Sequence, residues 1–113
     1  MKKIEAIIRS EKVGNIRSAL EKIGYPGLMI TQLFGHGKQK GSVQKWHGCD
    51  YKVELLPKSR IEIVVSDDDL DKITEAIIES AHTGVIGDGK IFISSIDNAI
   101  RIRTREKGEK ALA

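Results

Sequence analysis

Apolar positions change their spacing several times along the chain, and each change predicts an element. Lys2–Arg9 is a compact apolar-rich run (Ile4, Ala6, Ile7, Ile8), short enough to be a strand. From Ser10 the period lengthens: Val13, Ile16, Leu20 and Ile23 recur at helical spacing, and Gly24 with Pro26 stops the helix. Leu28–Phe34 is a second β-type run. Residues 35–57 hold four glycines, many charges and no sustained period, so they read as a long loop. Arg60–Val65 (Ile61, Ile63, Val64, Val65) is a third strand. Asp67, Asp68 and Asp69 then open a helix carrying Leu70, Ile73, Ile77 and Ala81 at helical spacing. Aspartates suit a helix start because they accept from free N–H groups and face the positive end of the dipole. After a glycine-rich turn at 82–90, Lys90–Ile96 is the fourth strand. A short segment through Arg103 leads to a polar tail, 104–113.

The two halves look alike. Laid ungapped, Ile4–Gly24 falls on Ile61–Ala81, pairing Val13 with Leu70, Ile16 with Ile73 and Leu20 with Ile77. A duplicated β-α-β unit in tandem gives βαββαβ, the ferredoxin-like α+β arrangement: one four-stranded antiparallel sheet with two helices on one face. The strands carry apolar residues in both parities (Ile7 and Ile8, Val64 and Val65), whereas a half-exposed antiparallel sheet alternates apolar with polar. The second face is therefore expected to be covered by other copies of the chain, with ligand sites at the subunit boundaries.

Composition narrows the class. At 113 residues and 40% hydrophobic content, 1–113 is a single domain with one core. The net charge of +3 and pI near 9.0 suit anionic ligands as readily as nucleic acid. Aromatics at 4% are too few for nucleic-acid stacking platforms. The single cysteine, Cys49, excludes an intramolecular disulfide and suits a reducing compartment. No secretory signal and no apolar run near the ~20 residues of a membrane span is present, so the chain reads as cytoplasmic.

The candidate chemistry gathers on glycine and basic residues. In Thr83–Lys90 three glycines remove side chains, so that backbone N–H groups can converge on an anion. Gly84…Gly89-Lys90 fits GxxxxGK, yet Ile91 replaces the Ser or Thr of a P-loop and the segment leads into a strand. It is a poor P-loop and a candidate phosphate-facing turn of another kind. Arg101-Ile102-Arg103 alternates; extended, it would aim both guanidiniums one way with Ile102 inward, a fork for phosphate oxygens. Taken alone, two solvated arginines describe it as well, and Lys90 beside the turn favours the fork. Gly35–Gly41 reads either as a flexible linker or as backbone open to a ligand, with Lys38 and Lys40 adding charge. Trp46, His47, Cys49 and Tyr51 place large side chains on the long loop, which suits docking to a partner. His36, His47 and Cys49 fit no common zinc spacing, and no catalytic constellation assembles around His82.

These residues converge on a family. Thr83-x-x-x-Gly87-Asp88-Gly89-Lys90-Ile91-Phe92-Ile93 matches a highly specific signature, joined by Gln39-Lys40-Gly41, Leu56-Pro57-Lys58, Ile61–Val65 and Arg101-Ile102-Arg103. From Met1 through Arg103 the chain resembles the PII signal-transduction proteins, nitrogen-status sensors of bacteria, archaea and chloroplasts. The resemblance implies a homotrimer whose sheets line the centre, with ATP or ADP in each intersubunit cleft. It puts Gly87, Asp88, Gly89, Lys90, Arg101 and Arg103 at the phosphates. Gly37 and Lys38 lie on the nucleotide, and Met29, Val64 and Gly84 near the base or ribose. Gln39 would help hold Mg²⁺ on ATP. Members that bind 2-oxoglutarate through that metal imply a site of Gly37, Gln39, Lys40, Gly41, Lys58 and Gly87.

The long loop, 35–57, would then be the effector arm, docking an ammonium transporter or nitrogen-metabolism enzymes, with membrane contact only through such a channel. Tyr51 stands where enterobacterial members are uridylylated, in the altered context Trp46-His47-Gly48-Cys49-Asp50-Tyr51. Cys49 replaces the serine that cyanobacterial members phosphorylate, His47 stands where channel-blocking members often carry arginine, and Lys38 replaces the usual arginine. The expectation is a regulatory binding protein and not an enzyme. Two alternatives are a nucleotide sensor indifferent to 2-oxoglutarate and a small phosphoryl-transfer enzyme.

Overall fold

Alternation decides which side of each strand is buried. In the computed structural model β1 (Lys2–Arg9) buries Ile4, Ala6 and Ile8 and turns Lys3, Glu5 and Ile7 the other way. The structure describes the backbone except at Pro26, His47, Gly48 and Ala113, and side chains except at those positions and at residues 35–55. A 3₁₀ turn at Ser10–Lys12 leads into α1 (Val13–Lys22), which buries Ile16 and Leu20 one turn apart. Gly24 ends it at φ +90°, a left-handed conformation that glycine adopts without strain. β2 (Met29–Trp46) and β3 (Cys49–Val65) follow, then a 3₁₀ turn at Asp67–Asp69, α2 (Leu70–Ala81) and β4 (Lys90–Ser95).

The sheet order is β2-β3-β1-β4 with every neighbour antiparallel. This is the expected ferredoxin-like fold, and the core is aliphatic throughout. Ile61, Ile63 and Val65 of β3 lie opposite Ala6, Ile4 and Lys2 of β1, and together with Ile73, Ile77 and Ala81 of α2 they close over α1's Ile16 and Leu20. Each fully buried Ile or Leu contributes about 1.5–3 kcal/mol of transfer free energy.

Three local expectations change. The segment 35–57 joins the second and third strands not as an irregular loop but as a ribbon continuing them. Pairing runs from Gly35↔Leu56 to Trp46↔Cys49, with an irregularity where Lys40 and Gln44 both oppose Tyr51. A compact chain of this length has a radius of gyration near 13 Å. The observed 17.0 Å and the 57 Å long axis record the ribbon's projection.

The aspartates at the start of α2 make no side-chain cap bond. Asp67 instead pairs with the Met1 ammonium (3.1 Å), which holds its carboxyl below the usual range, and Asp69 accepts from Ser66 Oγ (3.1 Å). Finally, 101–104 is not extended. Arg105 N–H donates to Arg101 O (2.8 Å), residues 102–104 form a turn, and Ile102 is 95% exposed rather than inward. The tail folds back as a 3₁₀ helix, Gly108–Leu112. Among the described residues no helix is long and apolar enough to cross a membrane.

Candidate functional site

The Thr83–Lys90 turn is ordered by its own aspartate. Asp88 Oδ2 accepts from the backbone N–H of Thr83 (2.8 Å) and Gly84 (2.9 Å), and Oδ1 accepts from Thr83 Oγ1. These bonds, the Thr83 hydroxyl foremost, hold the Asp88 carboxyl far below the ordinary carboxylate range. Asp88, read from the sequence as a phosphate-approaching residue, is thus seen here stabilising the turn from within. Three glycines carry positive φ: Gly84 (83°), Gly87 (108°) and Gly89 (100°). Gly89 is the tightest point, because a Cβ there would sit 1.7 Å from the Ile7 carbonyl oxygen of β1.

Two cations reach the turn from the sheet. Arg9, the last residue of β1, donates from Nη2 to Ile86 O (2.9 Å) and lies 3.4 Å through Nε from Asp88 Oδ1. Lys58 Nζ donates to Gly87 O (2.6 Å). Burial, reinforced by the Arg9 charge, lowers the Lys58 pKa, while Asp88 opposes the shift. Lys58 was legible in the sequence. Arg9 was missed, because it closes an apolar run like any solvated strand end, and its only signal was register: it lies directly opposite Lys58. Arg9, Ser10, Glu11, Leu56, Pro57 and Lys58 line a recess of about 240 Å³ at the ribbon's base.

Met29 and Val64 also come together, lining a cleft of about 420 Å³ with Lys3, Gly27 and Glu62. Lys90 is exposed at the start of β4. Arg101 is engaged locally, through Nη1 with Glu106 Oε1 (2.9 Å) and Nη2 with Lys110 O (3.2 Å). Arg103 is exposed on the C-terminal turn. The backbone of Gly37, Lys38, Gln39, Lys40 and Gly41 lies in β2, and Tyr51 lies in β3; their side chains, with those of Trp46 and Cys49, are outside the described residues, as is His47 altogether. Among the described residues no cluster of His, Cys, Asp and Glu could hold a metal.

The sheet face away from the helices adds a feature the periodicity did not reveal. Lys3 Nζ sits between Glu5 Oε1 (3.1 Å) and Glu62 Oε2 (3.2 Å). Arg60 Nε lies 2.9 Å from Glu62 Oε1, as an ion pair rather than an aligned hydrogen bond. Hydrogen bonds to Glu5, then Glu62, raise the Lys3 pKa. Ile7 and Val64 flank this cluster half-buried, with Met29 (65%) and Phe92 (56%) exposed beside it.

Comparison with known proteins gives this geometry a lineage. The family model for nitrogen regulatory protein P-II matches residues 1–106. Nitrogen regulatory protein P-II 2 of Methanothermobacter thermautotrophicus is 52% identical over 112 residues, 99% of this chain and 97% of that protein. The P-II protein of Haemophilus influenzae is 49% identical over 112 residues, covering 99% and 100%. The crystal structure of Arabidopsis thaliana PII bound to citrate superposes with a TM-score of 0.80 at 38% identity, covering 97% of this chain and 90% of that one. The chain belongs to the nitrogen regulatory protein P-II family, and its role is signal transduction in nitrogen regulation.

Proposed function

We propose that this protein is a cytoplasmic homotrimeric sensor of ATP and ADP, responsive to 2-oxoglutarate, that acts by binding and not by turnover. The observation that carries the reading is the Gly87–Lys90 turn. It is braced from below by Arg9 and Lys58 and held at a spacing from β1 that only glycine permits. Such a turn presents backbone N–H groups in a fixed array suited to phosphate oxygens. Lys90 adds charge, Met29 and Val64 offer apolar surface for a base, and Arg101 and Arg103 complete the phosphate site from a neighbouring subunit. To do so Arg101 must exchange its local Glu106 partner for the ligand.

Gln39 would help hold Mg²⁺ on ATP, and the metal would supply a positive centre for the keto acid. Lys58, in its recess with Arg9, would pair a carboxylate of 2-oxoglutarate, with backbone from Gly37, Gln39, Lys40, Gly41 and Gly87 contributing. A relative bound to citrate supports a carboxylate effector of this kind. The 35–57 ribbon would dock an ammonium transporter or nitrogen-metabolism enzymes. Regulation follows if the ligands bind one ribbon conformation better than another.

Calorimetric titration tests this directly. 2-Oxoglutarate should give heat with Mg-ATP present and none without it. Absence of nucleotide binding, or sustained ATP turnover, would overturn the sensor reading; nucleotide binding without any 2-oxoglutarate heat would leave a pure adenylate sensor.

A further inference from the structure

We infer that Arg9 is a positioning residue for the phosphate-facing turn: with Lys58 it draws two successive carbonyls to one side and thereby aims the N–H groups of Gly87 and Asp88 to the other, at the anion. The inference rests on the reading of the turn as a nucleotide site. Its basis is register. Arg9 and Lys58 are direct cross-strand partners in the β1–β3 ladder, so both side chains leave the sheet on one face. Arg9 Nη2 takes Ile86 O at 2.9 Å, and Lys58 Nζ takes the very next carbonyl, Gly87 O, at 2.6 Å.

Peptide geometry does the rest. Among the described residues every peptide bond is trans, and in a planar trans peptide the C=O and the following N–H point in opposite directions. Fixing Ile86 O on Arg9 therefore sends the Gly87 N–H away from it, and fixing Gly87 O on Lys58 sends the Asp88 N–H away likewise. In extended backbone adjacent carbonyls alternate, and Gly87, at φ 108°, departs from it so that the carbonyls on either side of it can turn the same way. Successive N–H groups facing one way make an anion-binding nest. Meanwhile the Asp88 carboxylate occupies the N–H groups of Thr83 and Gly84, leaving the nest to the later part of the turn. Arg9 thus contributes to phosphate recognition without touching phosphate.

The test compares wild type with Arg9→Met, which keeps an unbranched apolar stem and loses the donors, and Arg9→Lys, which keeps charge and a single donor head. ADP affinity is measured at low and at high salt, and the amide ¹⁵N shifts of Gly87 and Asp88 are recorded in ligand-free protein. Arg9→Met should bind ADP about tenfold more weakly or worse at both salt concentrations, the weight of a charge-assisted hydrogen bond. Its Gly87 and Asp88 amides should shift, and Arg9→Lys should recover part of the loss. An affinity within about twofold of wild type, or a deficit that vanishes at high salt, would overturn the positioning role, since long-range attraction is screened and geometry is not. Wild-type protein that binds no ADP would instead sink the nucleotide reading itself.

Discussion

Gly89 sets how closely the turn approaches the sheet. A methyl group there would penetrate the Ile7 carbonyl, and φ of 100° is strained for any L side chain. Gly89→Ala should therefore lower unfolding stability by at least about 2 kcal/mol and abolish nucleotide binding, as chemical denaturation and calorimetry would reveal. Asp88 works through charge. Its folded pKa is depressed, so its contribution is complete above the ordinary value of 3.8 and is lost as the pH falls below that value toward the folded one. The gap in melting temperature between wild type and Asp88→Asn should be widest near neutrality and shrink in acid; a gap independent of pH would remove the carboxylate from the turn's stability.

At the scale of elements, what the sequence revealed depended on whether a buried face imposed a pattern. β1, α1 and α2 each press an aliphatic stripe on one core, to which β4 adds only the half-buried Ile91, and the observed limits of all four lie within a few residues of those read from periodicity. The ribbon halves of β2 and β3 project from that core, and nothing there selects for alternation. Their pairing was accordingly unreadable, and the segment passed for a loop. Arg101-Ile102-Arg103 misled in the opposite way: alternation over three residues is compatible with a strand, but a 2.8 Å bond closing onto Arg101 O makes it a turn. Of the site, glycines and Lys58 were visible because conformation and charge are written in single residues. Arg9 became visible only through the ladder that sets it beside Lys58.

For the whole molecule, the open sheet face combines apolar side chains with a balanced set of two cations and two anions, Lys3, Arg60, Glu5 and Glu62. A face of that kind suits burial against copies of itself, where neutrality avoids leaving an unpaired charge. Glu62→Lys would set three cations side by side, and light scattering should then report dissociated subunits where wild type is expected to give the proposed trimer; an unchanged mass would place the subunit contact elsewhere. The ribbon adds a mechanical consequence. Lys58 is both the staple on Gly87 and the root of the arm, whose tip at Cys49 lies nine residues before it. Nine extended residues span about 30 Å. The arm is thus a lever with its fulcrum at the lysine that braces the glycine turn: a tilt of about 10° there, too small to break a hydrogen bond, sweeps the tip through about 5 Å, enough to turn a fitting contact into a clash.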